Sequence, residues 1–138
     1  MKTNPIRCAV FSTVFVALSA WAHAETAAHV QILRDRDATL SKIVQLQESR
    51  WADGSGSDSA VFAARLALHS FRRDIAPSSA EKISEQELIV SLCEKRLPSV
   101  TAQLNSGIGN TVDVLLMTDQ LLQAKQVLEE LKAGEKKG

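Results

Sequence analysis

The sequence predicts an all-α protein made of two antiparallel helical hairpins, forming a four-helix bundle or a coiled-coil-like assembly. Three observations lead there. Apolar residues recur at steps of three and four through four long stretches, which places them on one side of a helix each time. No sustained period-two run flanked by hairpin turns occurs, so no sheet is expected. Two glycine turns, Gly54-Ser55-Gly56 and Gly107-Ile108-Gly109, stand 53 positions apart (54 to 107), and each leads into a helical seam.

The chain opens on what reads as an export signal, residues 1–24. Lys2 and Arg7 form a basic start, Ala9 to Ala22 is uncharged and apolar, and Ala22-His23-Ala24 has the small-x-small form of a cleavage site. That apolar run is shorter than the ~20 residues of a membrane-crossing helix, and there is no second one, so no stable membrane span is expected once the signal is removed. Cys8 precedes the run, which argues against a lipid-anchored start. Residues 25–138 then form a single helical domain, with one hairpin over 27–75 and the other over 79–132. Cleavage leaves 14 basic against 16 acidic residues, since Lys2 and Arg7 go and no acid does. The positive charges are interleaved with acids, and no nucleic-acid partner is expected without a basic face.

The first helix is expected over Ala27 to Trp51. Val30, Leu33, Leu40, Val44 and Trp51 share its seam, Asp37 and Gln47 interrupt it, and Ile32, Ile43 and Leu46 widen the stripe on one side. Asp53 to Ser59 is a turn by composition, with Ser57, Asp58 or Ser59 able to cap the second helix. That helix, about Ser59 to Ile75, carries Val61, Ala64, Leu68, Phe71 and Ile75, and stops before Pro77. Ser78 and Glu81 make a capping box for the third helix, roughly Ser79 to Asn105, whose seam is Ile83, Val90, Cys93, Leu97, Val100 and Leu104. Pro98 lies inside it, and a bend or break is expected near Arg96 to Pro98. The fourth helix, about Thr111 to Lys132, carries Val114, Met117, Leu121, Ala124, Leu128 and Leu131, with Gly134 placed to end it.

The 53-residue shift aligns both hairpins. Ile83 falls on Val30, Cys93 on Leu40, Leu97 on Val44, Leu104 on Trp51, Val114 on Val61 and Leu121 on Leu68. True duplication and accidental likeness between heptad hairpins both produce this match, and both give the same fold.

The run Lys95-Arg96-Leu97, then Leu104-Asn105-Ser106-Gly107, Thr111-Val112-Asp113-Val114-Leu115 and Asp119-Gln120-Leu121-Leu122-Gln123-Ala124 resembles the helical-hairpin repeat of outer-membrane efflux channels, the TolC-like family. There a long helix ends in a glycine turn, and a Thr-x-Asp-Val-Leu start opens the next helix. The resemblance implies antiparallel helix pairs, a repeated hairpin and lateral association. The channels are several times longer and insert transmembrane strands between their helices. No such strands are read in this chain, so the pore and barrel are not implied, and Pro98 departs from an uninterrupted channel helix.

No catalytic, cofactor-binding or metal site is read. His29 and His69 lack a second ligand three or four positions further along the chain, and so read as surface residues. The carboxylates Glu81, Glu85, Glu87 and Glu94 alternate with Lys82, Lys95 and Arg96 as a solvated face. No serine sits in a nucleophile elbow, and neither glycine turn has the lysine of a phosphate loop. Cys93, the one cysteine after cleavage, falls on a seam and reads as a small core residue, the alternative being a reactive thiol.

The candidate interaction residues are Trp51, Leu115 and Leu122. Trp51 stands at the first hairpin's tip, where it either closes the core over the turn or offers an apolar docking point. Leu115 and Leu122 lie with Val112, Leu116 and Val127 outside the fourth helix's seam, so that helix needs neighbours on more than one side. The expected function is therefore that of an exported, periplasmic or secreted, non-catalytic helical scaffold or protein-binding module of the cell envelope. It would meet a protein partner or itself through helix faces. The alternative is a small component resembling efflux-channel helices, acting in envelope transport.

Overall fold

In a computed structural model, residues 6–136 are described, with side chains over 26–136. The export signal and its cut after Ala24 lie outside the residues described with side chains. Four helices run in order: α1 Ile6–Ala52, α2 Asp58–Ile75, α3 Ser79–Asn105 and α4 Thr111–Glu135. The described residues contain no strand, and the protein is all-α. The chain divides into two compact units, Met1–Ala38 and Thr39–Gly138.

In the first unit, Gln31 donates to Asp35 one turn on, at 2.8 Å, and Val30 and Ile32 are exposed while Leu33 is half-buried. The second unit contains the end of α1 and the other three helices. Arg65 of α2 donates to Glu48 of α1 at 2.8 Å through Nε, and Arg72 donates to the Ser41 hydroxyl at 3.1 Å. α3 packs against both α2 and α4. Successive helices run antiparallel: the start of α2 meets the later part of α3 through Asp58 and Arg96, and its end meets the early part through Arg73 and Gln86.

The two glycine turns have nearly the same geometry at the 53-residue shift. Gly54 and Gly107 adopt φ of +80° and +76°, a left-handed conformation that a side chain makes costly. Gly56 donates to the Arg50 carbonyl at 2.6 Å and Gly109 to that of Gln103 at 2.9 Å. Ser57 and Asn110 then cap α2 and α4 by accepting from Ala60 and Asp113, three residues on. The first turn adds a local clasp, Ser55 to the Asp53 carboxylate, and those bonds hold the Asp53 carboxyl below its ordinary range. The second turn sends the Ile108 amide to the Gln103 carbonyl instead, the closure usual for a helix ending at glycine.

The predicted seams of α2, α3 and α4 face inward apart from Ile75 at the end of α2, whereas Val30 and Trp51 of the α1 seam are exposed. Val61, Ala64, Leu68 and Phe71 of α2, Val90, Cys93 and Val100 of α3, and Met117, Ala124 and Leu128 of α4 are buried. Two further core residues of α3 fall outside the predicted seam, Ile89 and Gln86. Gln86 is only 1% exposed. Its Nε2 donates to the Ala124 carbonyl of α4 at 2.7 Å, and its Oε1 accepts from Arg73 of α2 at 2.8 Å.

Three boundaries differ from the sequence expectation. α1 starts at Ile6 and not near Ala27, the uncharged run before the seam being continuous with it. α3 continues unbroken through Pro98. The carbonyl that loses its donor to Pro98 belongs to Glu94, and both residues are solvent-accessible, so water can replace the missing bond. α4 passes through Gly134 to Glu135, because Gly134 does not take the positive φ with which a glycine closes a helix.

This geometry makes two substitutions informative. Gln86→Ala removes packing and leaves Arg73 without its buried acceptor, so urea unfolding should show a loss of about 2–4 kcal/mol. Gln86→Met, which keeps volume, should cost less than half of that. A Cβ at Gly56 would lie 2.8 Å from the Trp51 nitrogen and 2.9 Å from the Arg50 carbonyl carbon, whereas one at Gly54 meets nothing within 4 Å. Gly54→Ala should therefore cost about 1–2 kcal/mol of left-handed strain, and Gly56→Ala should cost more, since helix backbone must move.

Candidate interaction surface

The outer side of α4 is apolar and wet. Val112, Leu115, Leu116 and Leu122 are 60% to 63% exposed, and on a helix their spacing puts them in one broad stripe, broken by Asp119. It arises because the inward seam of Met117, Ala124 and Leu128 already fills the space facing α3. Val127, expected outside the seam, is instead half-buried, lining a groove with Leu66 of α2 and Gln86 and Ile89 of α3. Ile108, in the turn before α4, is exposed and extends the apolar surface.

α1 also carries exposed aliphatic residues. Ile43 and Leu46 are exposed in the second unit, and Ile32 is exposed in the first. Trp51, at the end of α1, is also exposed, so it does not cover the turn as a buried lid. Its counterpart at the second turn, Leu104, is half-buried.

The charged residues of α3 are mostly paired on a face that stays exposed. Glu94 pairs with Lys125 at 2.8 Å and Glu87 with Lys132 at 2.9 Å, both across α3 and α4. Such exposed pairs stabilise by at most about 1 kcal/mol each, so they set register more than strength. Glu81 closes the capping box on Ser78. His69, read from sequence as a surface residue, is half-buried, and its Nδ1 lies 2.7 Å from Glu85 of α3. Its partner comes from the next helix, which a search along one helix misses.

Among the described residues no group of three or more His, Cys, Asp or Glu converges as a metal site would require. The histidine and carboxylate of α2 and α3 form an isolated pair. A crevice between the same helices is lined by Asp58, Phe62, Arg65, Leu92, Lys95 and Arg96, and Arg96 pairs with Asp58. Among the described residues no helix is long and apolar enough to cross a membrane.

Cys93 is 0% exposed. Burial, and next to it the Glu94 carboxylate, push its thiol above the ordinary range. The protonated form is the one the core accommodates.

Compared with models of known families, with curated proteins and with solved structures, the chain matches none. The likeness to efflux-channel hairpins therefore rests on sequence, strongly over Lys95 to Leu131 and weakly over the rest of residues 25–138.

The state of Cys93 yields a direct test. A thiol reagent at neutral pH should label it at least about tenfold more slowly in the native protein than in urea, because the thiolate is both buried and disfavoured. Equal rates in the two states would place the sulfur at the surface. Stability should fall as pH rises past the ordinary thiol range, where the unfolded chain ionises before the folded one does.

Proposed function

We propose that this protein is an exported, non-catalytic helical scaffold of the cell envelope, periplasmic or secreted, which works by association through the outer face of α4. The observation that carries the reading is that face itself. Four large aliphatic side chains, Val112, Leu115, Leu116 and Leu122, stand in water on one helix, and a contiguous apolar patch of this kind marks an interaction surface. Covering a leucine recovers roughly 1.5–3 kcal/mol, so the stripe can supply several kcal/mol to an assembly. The address rests on the sequence: a basic start, a short apolar run and a small-x-small site ending at Ala24. The scaffold role is supported by the build of the second unit, whose polar contacts join one helix to the next.

The test is sedimentation of the wild type beside a Leu115→Glu, Leu122→Glu double variant at tens of micromolar. The wild type should be assembled and the variant monomeric, with an unchanged helical circular dichroism spectrum. A wild type that sediments as a monomer would remove the reading.

A further inference from the structure

We infer that the partner of the α4 face is α1 of a second copy, docked in the register in which α2 docks on α3. This rests on the association reading above and names its partner.

The repeat supplies the register. The turns at Gly54 and Gly107 match in φ, in the shared bond from the second glycine and in the cap beyond it. The 53-residue shift therefore relates structurally equivalent positions, α1 to α3 and α2 to α4. Between the two hairpins lies a junction already formed, α2 on α3. Its counterpart under the shift joins α4 to an α1.

At the formed junction, Asp58 of α2 faces Arg96 and lies 3.5 Å from the Ser99 hydroxyl of α3. Phe62 shares a crevice with Leu92, Lys95 and Arg96, and His69 meets Glu85. Shifted by 53, Asp58 becomes Thr111, Phe62 becomes Leu115 and His69 becomes Leu122. On the other side, Arg96 becomes Ile43, Ser99 becomes Leu46, Leu92 becomes Thr39 and Glu85 becomes Ile32. The polar pair of His69 and Glu85 turns into Leu122 with Ile32. The aromatic Phe62 beside Arg96 turns into Leu115 beside Ile43.

Where the first junction has His69, Glu85, Arg96 and Ser99, the second has Leu122, Ile32, Ile43 and Leu46, while Asp58 and Leu92 give way to Thr111 and Thr39. Leu115, Leu122, Ile32, Ile43 and Leu46 all stand in water. Among the described residues nothing covers these side chains. A second copy brings an α1 of matching periodicity to α4, and its own α4 remains for the next α1. The contact is head to tail, so it joins two different surfaces and closes into a ring or continues as a chain.

Two variant proteins test it. Leu115→Glu with Leu122→Glu spoils α4 and leaves α1, whereas Ile43→Glu with Leu46→Glu spoils α1 and leaves α4. Each alone should sediment as a monomer, and an equimolar mixture should recover a species of two chains, because one good α4 then meets one good α1. If the α1 variant still self-associates by itself, the α4 faces meet each other and α1 is not the partner, although association through α4 stands. If the wild type is monomeric, both readings fail together. Cysteine pairs keep the test open should a charge variant unfold. In a Cys8→Ser background, Leu115→Cys mixed with Ile43→Cys should give a disulfide-linked dimer on mild oxidation, and either alone should give at most about a tenth as much. Equal cross-linking of Leu115→Cys alone would overturn the proposal.

Discussion

The helices α2, α3 and α4 are brought together at one buried amide. Gln86 reaches two helices at once, donating to the Ala124 carbonyl of α4 and accepting from the Arg73 guanidinium of α2. A polar side chain this deep is tolerable only with its bonds made, because an unmade one costs about 1–3 kcal/mol. Sliding α2 or α4 by one turn along α3 would strand the amide, whereas aliphatic contacts such as Ile89 or Val90 would find new neighbours. The amide therefore discriminates against wrong registers, a role distinct from adding net stability. The exposed pairs of Glu87 with Lys132 and Glu94 with Lys125 repeat the same register outside the core.

This constraint explains which face of α4 is left over. With Ala124 held against Gln86, and Met117 and Leu128 on the same inward side, Leu115 and Leu122 must point away. The apolar surplus of α4 is thus a consequence of the register, not of loose packing. Val127 marks the edge of the surplus: it stands beside the inward seam, and the groove between α2, α3 and α4 half-covers it.

Much of the fold is legible from residues alone, and the reason is local. Heptad seams, glycine turns and the Ser78 and Glu81 cap depend on neighbours a few positions away, so α2, α3 and the start of α4 fall close to where the periodicity places them. The features that only the structure reveals depend on residues far apart in the chain. Gln86 lies off the predicted seam, and its place in the core follows from Arg73 and Ala124, which arrive from two other helices. His69 reads as a lone histidine until Glu85 comes across. Pro98 reads as a bend or a break, and no break occurs because its position at the surface lets water take the place of the missing donor. The wet stripe on α4 is visible in sequence because it exceeds what one face can hold, and the exposed Ile43 and Leu46 are visible as a widened seam. That the two stripes correspond under the repeat emerges only when the α2 and α3 contacts can be shifted by 53.

The contrast between the two junctions has a physical rationale. α2 and α3 are joined by Ala76, Pro77 and Ser78, a connection so short that each helix is always within reach of the other. Such a tether supplies effective concentration, so the junction can be built from Asp58 with Arg96 and His69 with Glu85, pairs that orient more than they attract. A junction between separate chains has no tether and must offset the lost translational and rotational freedom of a free molecule, about 4–15 kcal/mol by general estimates. Apolar pairs are what that demands, and the shifted positions supply them as Leu115 with Ile43 and Leu122 with Ile32. Where a short loop ties the two helices together, Arg96 and His69 sit in polar pairs; where no loop does, the same positions hold Ile43 and Leu122.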